Sequence, residues 1–217
     1  MRTSPSTRLA ATLALALLPA LAPTHLLAQR ADSYTWKLGL NAGAMMFQTR
    51  SQDTKTILSV GAHALIMAGK GGLLVGVDEG LGKDESTSGG TILFNDLRRY
   101  QAVLMAFPFH GPLEPYFGMG GGILSVVGPR INPDLLLTDP TERANLLSAA
   151  TDASASGFLT ALAGVQGRWG RGTAFAQYQL GSAPNGDKLL RGNLHTLMVG
   201  IRIGLGSTKD DLKAGGY

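Results

Sequence analysis

Near the C-terminal end the segment Thr196-Leu-Met-Val-Gly-Ile-Arg-Ile-Gly-Leu205 alternates without a break. Leu197, Val199, Ile201, Ile203 and Leu205 fall on one side of an extended chain, and Thr196, Met198, Gly200, Arg202 and Gly204 on the other. Successive side chains of a strand point to opposite faces, so this segment separates two different surroundings, one of them apolar.

The same period-two pattern occurs seven more times. In residues 34–47, Tyr34, Trp36, Leu38, Leu40, Ala42 and Ala44 oppose Thr35, Lys37, Gly39, Asn41 and Gly43. In 57–68, Leu58, Val60, Ala62, Ala64 and Ile66 oppose Ser59, Gly61 and His63; in 72–81, Leu73, Val75 and Val77 oppose Gly76, Asp78 and Gly80. In 97–107, Tyr100, Ala102, Leu104 and Ala106 oppose Arg99 and Gln101. Residues 115–126 keep parity most weakly, with Phe117, Met119 and Ile123 set against Tyr116 and three glycines. In 158–169, Leu159, Ala161, Ala163, Val165 and Trp169 oppose Thr160, Gln166 and Arg168; in 173–180, Ala174, Ala176, Tyr178 and Leu180 oppose Gln177 and Gln179. Most of these runs are close to the roughly 9–11 residues with which a tilted strand crosses a bilayer.

The connections alternate as well. Residues 69–71, 110–114 and 170–172 are short links, whereas 48–55, 82–90, 127–156 and 181–192 are longer and more polar. Short turns on one side and long loops on the other, around an even number of antiparallel strands, are the layout of an outer-membrane barrel.

Residues 1–28 read as a secretory signal peptide. Arg2 and Arg8 give a positive start, an apolar run follows over 9–21, and Ala28 supplies the small residue before Gln29. The run is short for a spanning helix and is interrupted by Pro19 and Pro23. Residues 29–217 then form one domain. Removal of Arg2 and Arg8 lowers the net charge from +4 to +2, and no stretch dense in Lys and Arg argues for nucleic acid. An exported chain with no cysteine must be held by something other than disulfides, and a closed hydrogen-bond ladder is one such device.

The alternation also fits a soluble barrel of lipocalin type, apolar inside and polar outside. Charge decides between the two. A water-facing surface carries charged residues at about a quarter to a third of its positions. Here charged residues are 16% of the whole chain, and the non-apolar face is mainly Gly, Thr, Ser, Gln and Met. Such a face suits a narrow lumen filled by side chains. Alanine is frequent on the lipid-facing parity, so the apolar band is thin in places. Trp36 and Trp169 both fall at the turn-bearing rim of that face, where aromatic girdles belong. With the N-terminus in the periplasm, the short links and both termini are periplasmic and the long loops extracellular.

One helix is expected, in the third loop. Asp139 stands as a cap, Pro140 takes the first helical position and Glu142 lies three after the cap, which predicts a helix over about 140–150. Ala144, Leu147 and Ala150 would form its apolar stripe on the barrel mouth. Asn185-Gly186 is a hairpin-turn signal in the last loop.

Glu114-Pro-Tyr-Phe-Gly-Met-Gly-Gly-Gly122 resembles the PY-x-G-x-G-x-G strand that follows the central periplasmic turn of small outer-membrane β-barrel proteins. The segment 193–206 resembles their closing strand. Together with the signal peptide and the eight runs, this is similar to the OmpA/OmpX-like superfamily and implies an all-β, eight-stranded, antiparallel up-and-down transmembrane barrel. In that family the last strand often ends in an aromatic residue read by the barrel-assembly machinery. Here Tyr217 lies beyond the strand, so that signal is displaced or replaced by the internal Gly-Ile-Arg-Ile-Gly-Leu pattern.

Parity places Lys37, Arg168 and Arg202 in the lumen near the periplasmic end, Asp78 and Arg99 toward the outer end and His63 between them. A buried ion needs a partner. Asp78 and Arg99 are expected to pair, as a structural bridge or as a gate. Lys37, Arg168 and Arg202 would form a cationic cluster, to be met by Glu114 or by Asp210 and Asp211. No cysteine is present, and the histidines show no spacing for a metal site. Neither a cofactor nor a catalytic residue is expected. Some eight-stranded barrels are lipid A-modifying enzymes with a Ser/His/acid set, for which only His195 stands on a suitable face. The reading is a monomeric, non-enzymatic barrel with a structural or surface-interaction role, in contact with outer-membrane lipid and open to an extracellular ligand at its loops. A narrow channel for small or apolar solutes is the alternative, and a lipid-modifying enzyme comes third.

Overall fold

The structure is a computed structural model that describes residues 34–49, 54–87, 90–109, 111–135, 139–182, 184 and 187–205. The expected signal peptide, His110, Asn185-Gly186, Asp210, Asp211 and Tyr217 lie outside the described residues.

Eight long strands carry the alternating runs: β1 Tyr34–Thr49, β2 Thr54–Ala68, β3 Gly71–Thr87, β4 Ile92–Ala106, β5 Leu113–Val127, β7 Ala155–Trp169, β8 Gly172–Gly181 and β9 Leu190–Gly204. A two-residue strand, β6 Arg130–Ile131, pairs with the start of β4. Each long strand pairs antiparallel with its neighbours in the chain. β1 pairs with β9 and closes the sheet, with Leu38 opposite Ile203 and Ala42 opposite Val199. Closure leaves no unpaired edge, as a sheet in hydrocarbon requires.

The three short links and the outer ends of β1 and β9 share one end of the barrel, called here the turn end. Two of the links are two-residue turns that begin at Gly69 (φ 59°) and Gly170 (φ 55°). The positive φ matches the twist of a tight hairpin and is open to glycine at no steric cost. At the opposite, loop end, several strands outrun the expectation. β3 continues to Thr87 instead of stopping near 81, β4 starts at Ile92 instead of 97, and β9 starts at Leu190 instead of 196. The polar residues of 82–87 read as loop because they do not alternate. They still complete a β-ladder, after a register shift between Leu81 and Glu85. The alternation follows the strand only where its outer side must be apolar.

Helix α1 spans Pro140–Asp152, with Asp139 accepting a hydrogen bond from the Thr141 N–H at 2.8 Å. The expected stripe is corrected. Ala150 is buried, but Ala144 and Leu147 are exposed. Leu146, Ala149 and Ala153 instead join Ala150 along a crevice with Thr91, Ile92 and Leu189, and the helix leans on β6 and on the entry to β9, where the Leu189 N–H donates to the Ala153 carbonyl.

All eight parities hold. Leu159, Met119 and Leu104 are 73%, 71% and 70% exposed, whereas Arg99 and Arg202 are 0% exposed. The apolar belt on the outside runs through Leu40, Val75, Phe117, Tyr178, Val199 and Ile203, with Trp36 and Trp169 at its turn-end rim. A belt of this extent is matched by hydrocarbon and not by water.

The inside is layered. Toward the loop end, Met45, Phe47, Phe94, Leu97, Leu124, Phe158, Leu190 and Leu194 pack as one apolar cluster. Leu65, Leu74, Val103, Met105, Phe107, Tyr116, Leu162 and Phe175 form a second. Gly118, Gly120 and Gly122 of β5 lie on the inward parity, where β4 comes close. A Cβ on Gly120 would lie 2.0 Å from the Ala102 carbonyl oxygen, and one on Gly122 would lie 1.8 Å from that of Tyr100. They relieve crowding against backbone, which is why these positions carry no side chain.

Candidate functional site

Most polar residues of the lumen parity meet in one hydrogen-bonded network. Asp78 and Arg99 are direct cross-strand partners on β3 and β4, so an inward carboxylate and an inward guanidinium meet by register alone. The Arg99 Nη2 and Nε donate to Asp78 Oδ2 at 2.8 and 3.1 Å. The carboxylate also accepts from Gln101 Nε2 at 2.9 Å and from Asn41 Nδ2 at 2.8 Å. Arg99 Nη1 donates to Thr196 Oγ1 at 2.9 Å. Both ions are therefore buried and paired, with a hydrogen-bond partner at every nitrogen and oxygen of the two groups, the condition under which a buried pair is tolerated.

His63 links this centre to Arg202. The Arg202 Nε–H donates to His63 Nε2 at 2.9 Å, which makes Nε2 an acceptor. The proton of the neutral ring then sits on Nδ1 and points to Asn41 Oδ1 at 3.2 Å. That fixes the Asn41 amide with its nitrogen toward Asp78. The tautomer and the amide orientation follow from one donor that has no alternative role. Arg202 also donates to Gln166 Oε1 at 3.0 Å, and its guanidinium lies 3.9 Å from the centroid of the Phe175 ring and 5.5 Å from that of Tyr116. Such stacking over π-faces is the way a buried guanidinium sits without a carboxylate in contact.

Gln166 continues the chain to Glu114 at 2.8 Å, and Glu114 forms an ion pair with Arg168 at the turn end. Lys37 is buried on β1, opposite Leu65 and Gly204. Glu114, one of the partners expected for the three cations, takes Arg168, whereas Arg202 goes to His63, Gln166 and two aromatic rings. Residues on the same parity and near the same end diverge because the long side chains reach different strands.

Asn41, Gln101, Gln166, Gln177, Gln179, Thr160 and Thr196 stand on the inner parity in the sequence; what parity does not give is that these uncharged residues tie the charged ones together. Tyr116 donates to Gln177 at 3.0 Å, and Gln179 bridges Gln101 and Thr160 at 2.5 and 2.9 Å, which spreads the network across the bore. Among the described residues, Ser59 Oγ, Gln179 Oε1 and Arg202 Nη2 are buried without a hydrogen-bond partner.

His195 lies on the outer wall. Its Nδ1 is bonded to the Tyr178 hydroxyl at 2.5 Å, not to a serine or a carboxylate. Among the described residues no group of three or more His, Cys, Asp or Glu is placed to hold a metal ion.

No protein-family model matches the chain, and no curated protein sequence matches it. Solved structures do. Neisserial surface protein A superimposes with a TM-score of 0.55 at 16% identity, over 79% of this chain and 99% of that one. Ail, the attachment invasion locus protein of Yersinia pestis, gives 0.51 at 12% identity, over 80% and 99%. The outer membrane enzyme PagL gives 0.38 at 14% identity, over 75% and 98%, too remote to bear on chemistry. The fold is that of the small eight-stranded outer-membrane barrels.

Proposed function

We propose that this chain is a non-enzymatic outer-membrane barrel, closed to solutes, that acts through its loop end. The turn end and both termini face the periplasm. The loop end, with α1 and β6, faces outward. The observation that carries the reading is the filled bore. Arg99, Arg202, Gln166, Gln179 and Thr196 have no exposed surface, and they lie among the two apolar clusters of the interior. An eight-stranded barrel is just wide enough to be filled in this way.

The surface role is supported by the projecting ends of β3, β4 and β9 and by the capped helix α1, which give the loop end an ordered surface. Ail was solved in complex with the heparin analogue sucrose octasulfate. A loop-end contact with a polyanionic glycan is one form the role takes here, with Arg130 of β6 and Arg143 of α1 flanking a shared crevice.

Single-channel recording in planar bilayers tests the closed bore. The expected record shows no stable conductance steps for protein whose band on gels shifts on boiling. Stable steps from such protein would replace this reading by a narrow channel.

A further inference from the structure

The alanines that thin the apolar belt stand in outward pairs on β1, β2, β7 and β8, and the pair on β2 lies under a larger groove than the pair on β8. Across β9, β1, β2, β3 and β4, two successive rows of outward side chains read Ile203, Leu38, Ala64, Val75, Ala102 and Ile201, Leu40, Ala62, Val77, Tyr100. Ala62 and Ala64 on β2 therefore form the floor of a trough walled by Leu38, Leu40, Ile201 and Ile203 on one side and by Val75, Val77 and Tyr100 on the other. Its volume is about 760 Å³, within the range of small-molecule sites. Along β2 the next outward residues are Val60 toward the loop end and Ile66 toward the turn end. From Val60 to Ile66 is about 20 Å of strand, and the walls, two strand spacings apart, stand about 10 Å from each other. Tilted by about 45°, such a length covers about 14 Å of depth, close to half of a hydrocarbon core about 30 Å thick.

The row beyond the trough on the loop-end side holds the ion pair of Glu79 and Arg98, on the same outward face. Arg98 Nη2 lies 2.7 Å from Glu79 Oε1, and Nε lies 3.3 Å from Oε2. Those bonds use two of the five guanidinium N–H groups, the neighbouring Tyr100 hydroxyl engages Arg98 as well, and the remaining N–H groups are open to other acceptors. Charge on the lipid side of a barrel is tolerated near the headgroups and strongly disfavoured at the midplane, so this pair marks the headgroup level.

We propose that the trough is a binding site for one acyl chain of a phosphorylated outer-leaflet lipid, with the lipid's head oxygens at Arg98. The inference rests on the membrane reading given above. The shape selects the occupant. A second barrel is convex and would rest on the walls, leaving the alanine floor empty, whereas a single flexible chain fills a slot one strand wide and regains the lost dispersion contacts. The trough is also continuous with the belt that meets lipid, so acyl chains are the molecules present there at highest concentration.

The test is native mass spectrometry of the protein released from nanodiscs containing phosphatidylethanolamine and lipid A, a phosphorylated and acylated glucosamine disaccharide. The expected result is a one-to-one adduct with lipid A. The variant Ala62→Leu/Ala64→Leu, which fills the floor from outside the barrel, lowers the adduct at least tenfold. Ala161→Leu/Ala163→Leu, on the outward face of β7, leaves it unchanged, and Arg98→Ala reduces it severalfold. Each variant is checked for the boiling-dependent gel shift, which shows that it folds. Equal retention by the filled variant would overturn the proposal, as would equal retention of phosphatidylethanolamine. Loss of a protein dimer instead of a lipid in the filled variant would assign the trough to a second copy. A wild type with no gel shift and no membrane insertion would overturn the membrane reading itself.

Discussion

Replacing Asp78 with leucine removes the acceptor shared by Arg99, Asn41 and Gln101 and leaves a guanidinium that is 0% exposed without its anion. Breaking a buried pair from one side costs about 3–5 kcal/mol, and the two stranded amide donors put this variant at the upper end of that range. Arg99→Met is milder, at about 3 kcal/mol, because Asn41 and Gln101 still serve the carboxylate. In the double variant neither ion remains, and apolar side chains of similar volume take their place. Its expected cost is about 1–2 kcal/mol, below either single change. The assay is urea unfolding in lipid vesicles, followed by the fraction of gel-shifted band and by fluorescence of Trp36 and Trp169. A coupling of at least 2 kcal/mol is expected from the cycle. If the double variant loses as much as the two single variants together, within about 0.5 kcal/mol, the two residues do not act as a buried pair and the reasoning fails.

Arg202→Met should cost less than Arg99→Met, about 1–2 kcal/mol, since it strands the acceptors His63 Nε2 and Gln166 Oε1 but no ion; a larger loss in the same unfolding assay would mean that the cation is needed in the bore. Gly120→Val should block folding, since its Cβ meets the Ala102 carbonyl, and the boiling-dependent gel shift should disappear; a shift like that of the wild type would show that β4 and β5 have room there. Asp139→Ala removes the cap of α1 and weakens the helix by about 1 kcal/mol, with faster proteolysis in the connection between β5 and β7 and no change in the barrel; unchanged cleavage would show that the helix does not depend on its cap.

The alternation made the barrel legible because an outer wall in hydrocarbon leaves no freedom. Leu197, Val199, Ile201, Ile203 and Leu205 must point outward, and Arg202 must then point in. Where strands pass beyond the belt, as 82–87 do, the outer side is free to be polar and the pattern stops although the ladder continues. The apolar layers inside the bore were hidden for a different reason: Leu65 next to Ile66, or Val103 next to Leu104, blurs the alternation where both sides of the wall are apolar. Asp78 and Arg99 were legible as a pair because they point inward from consecutive strands toward the same end of the barrel. His63 and Arg202 were not, since 139 residues separate them and the contact depends on how the closed barrel sets β2 across from β9. Glu114 was named as a partner for the cations, but which of them it holds is decided by side-chain reach.

The chain has no cysteine, so single cysteines introduced along residues 196–203 can carry spin labels without background. In lipid vesicles, labels at Leu197, Val199, Ile201 and Ile203 are expected to collide freely with oxygen dissolved in the hydrocarbon and little with a water-soluble nickel chelate. Labels at Thr196, Met198 and Arg202 are expected to be shielded from both, because the bore is filled. A period of two in oxygen contact is the signature of this barrel. Free access of the nickel chelate to Val199 and Ile201, or the absence of any alternation, would contradict it.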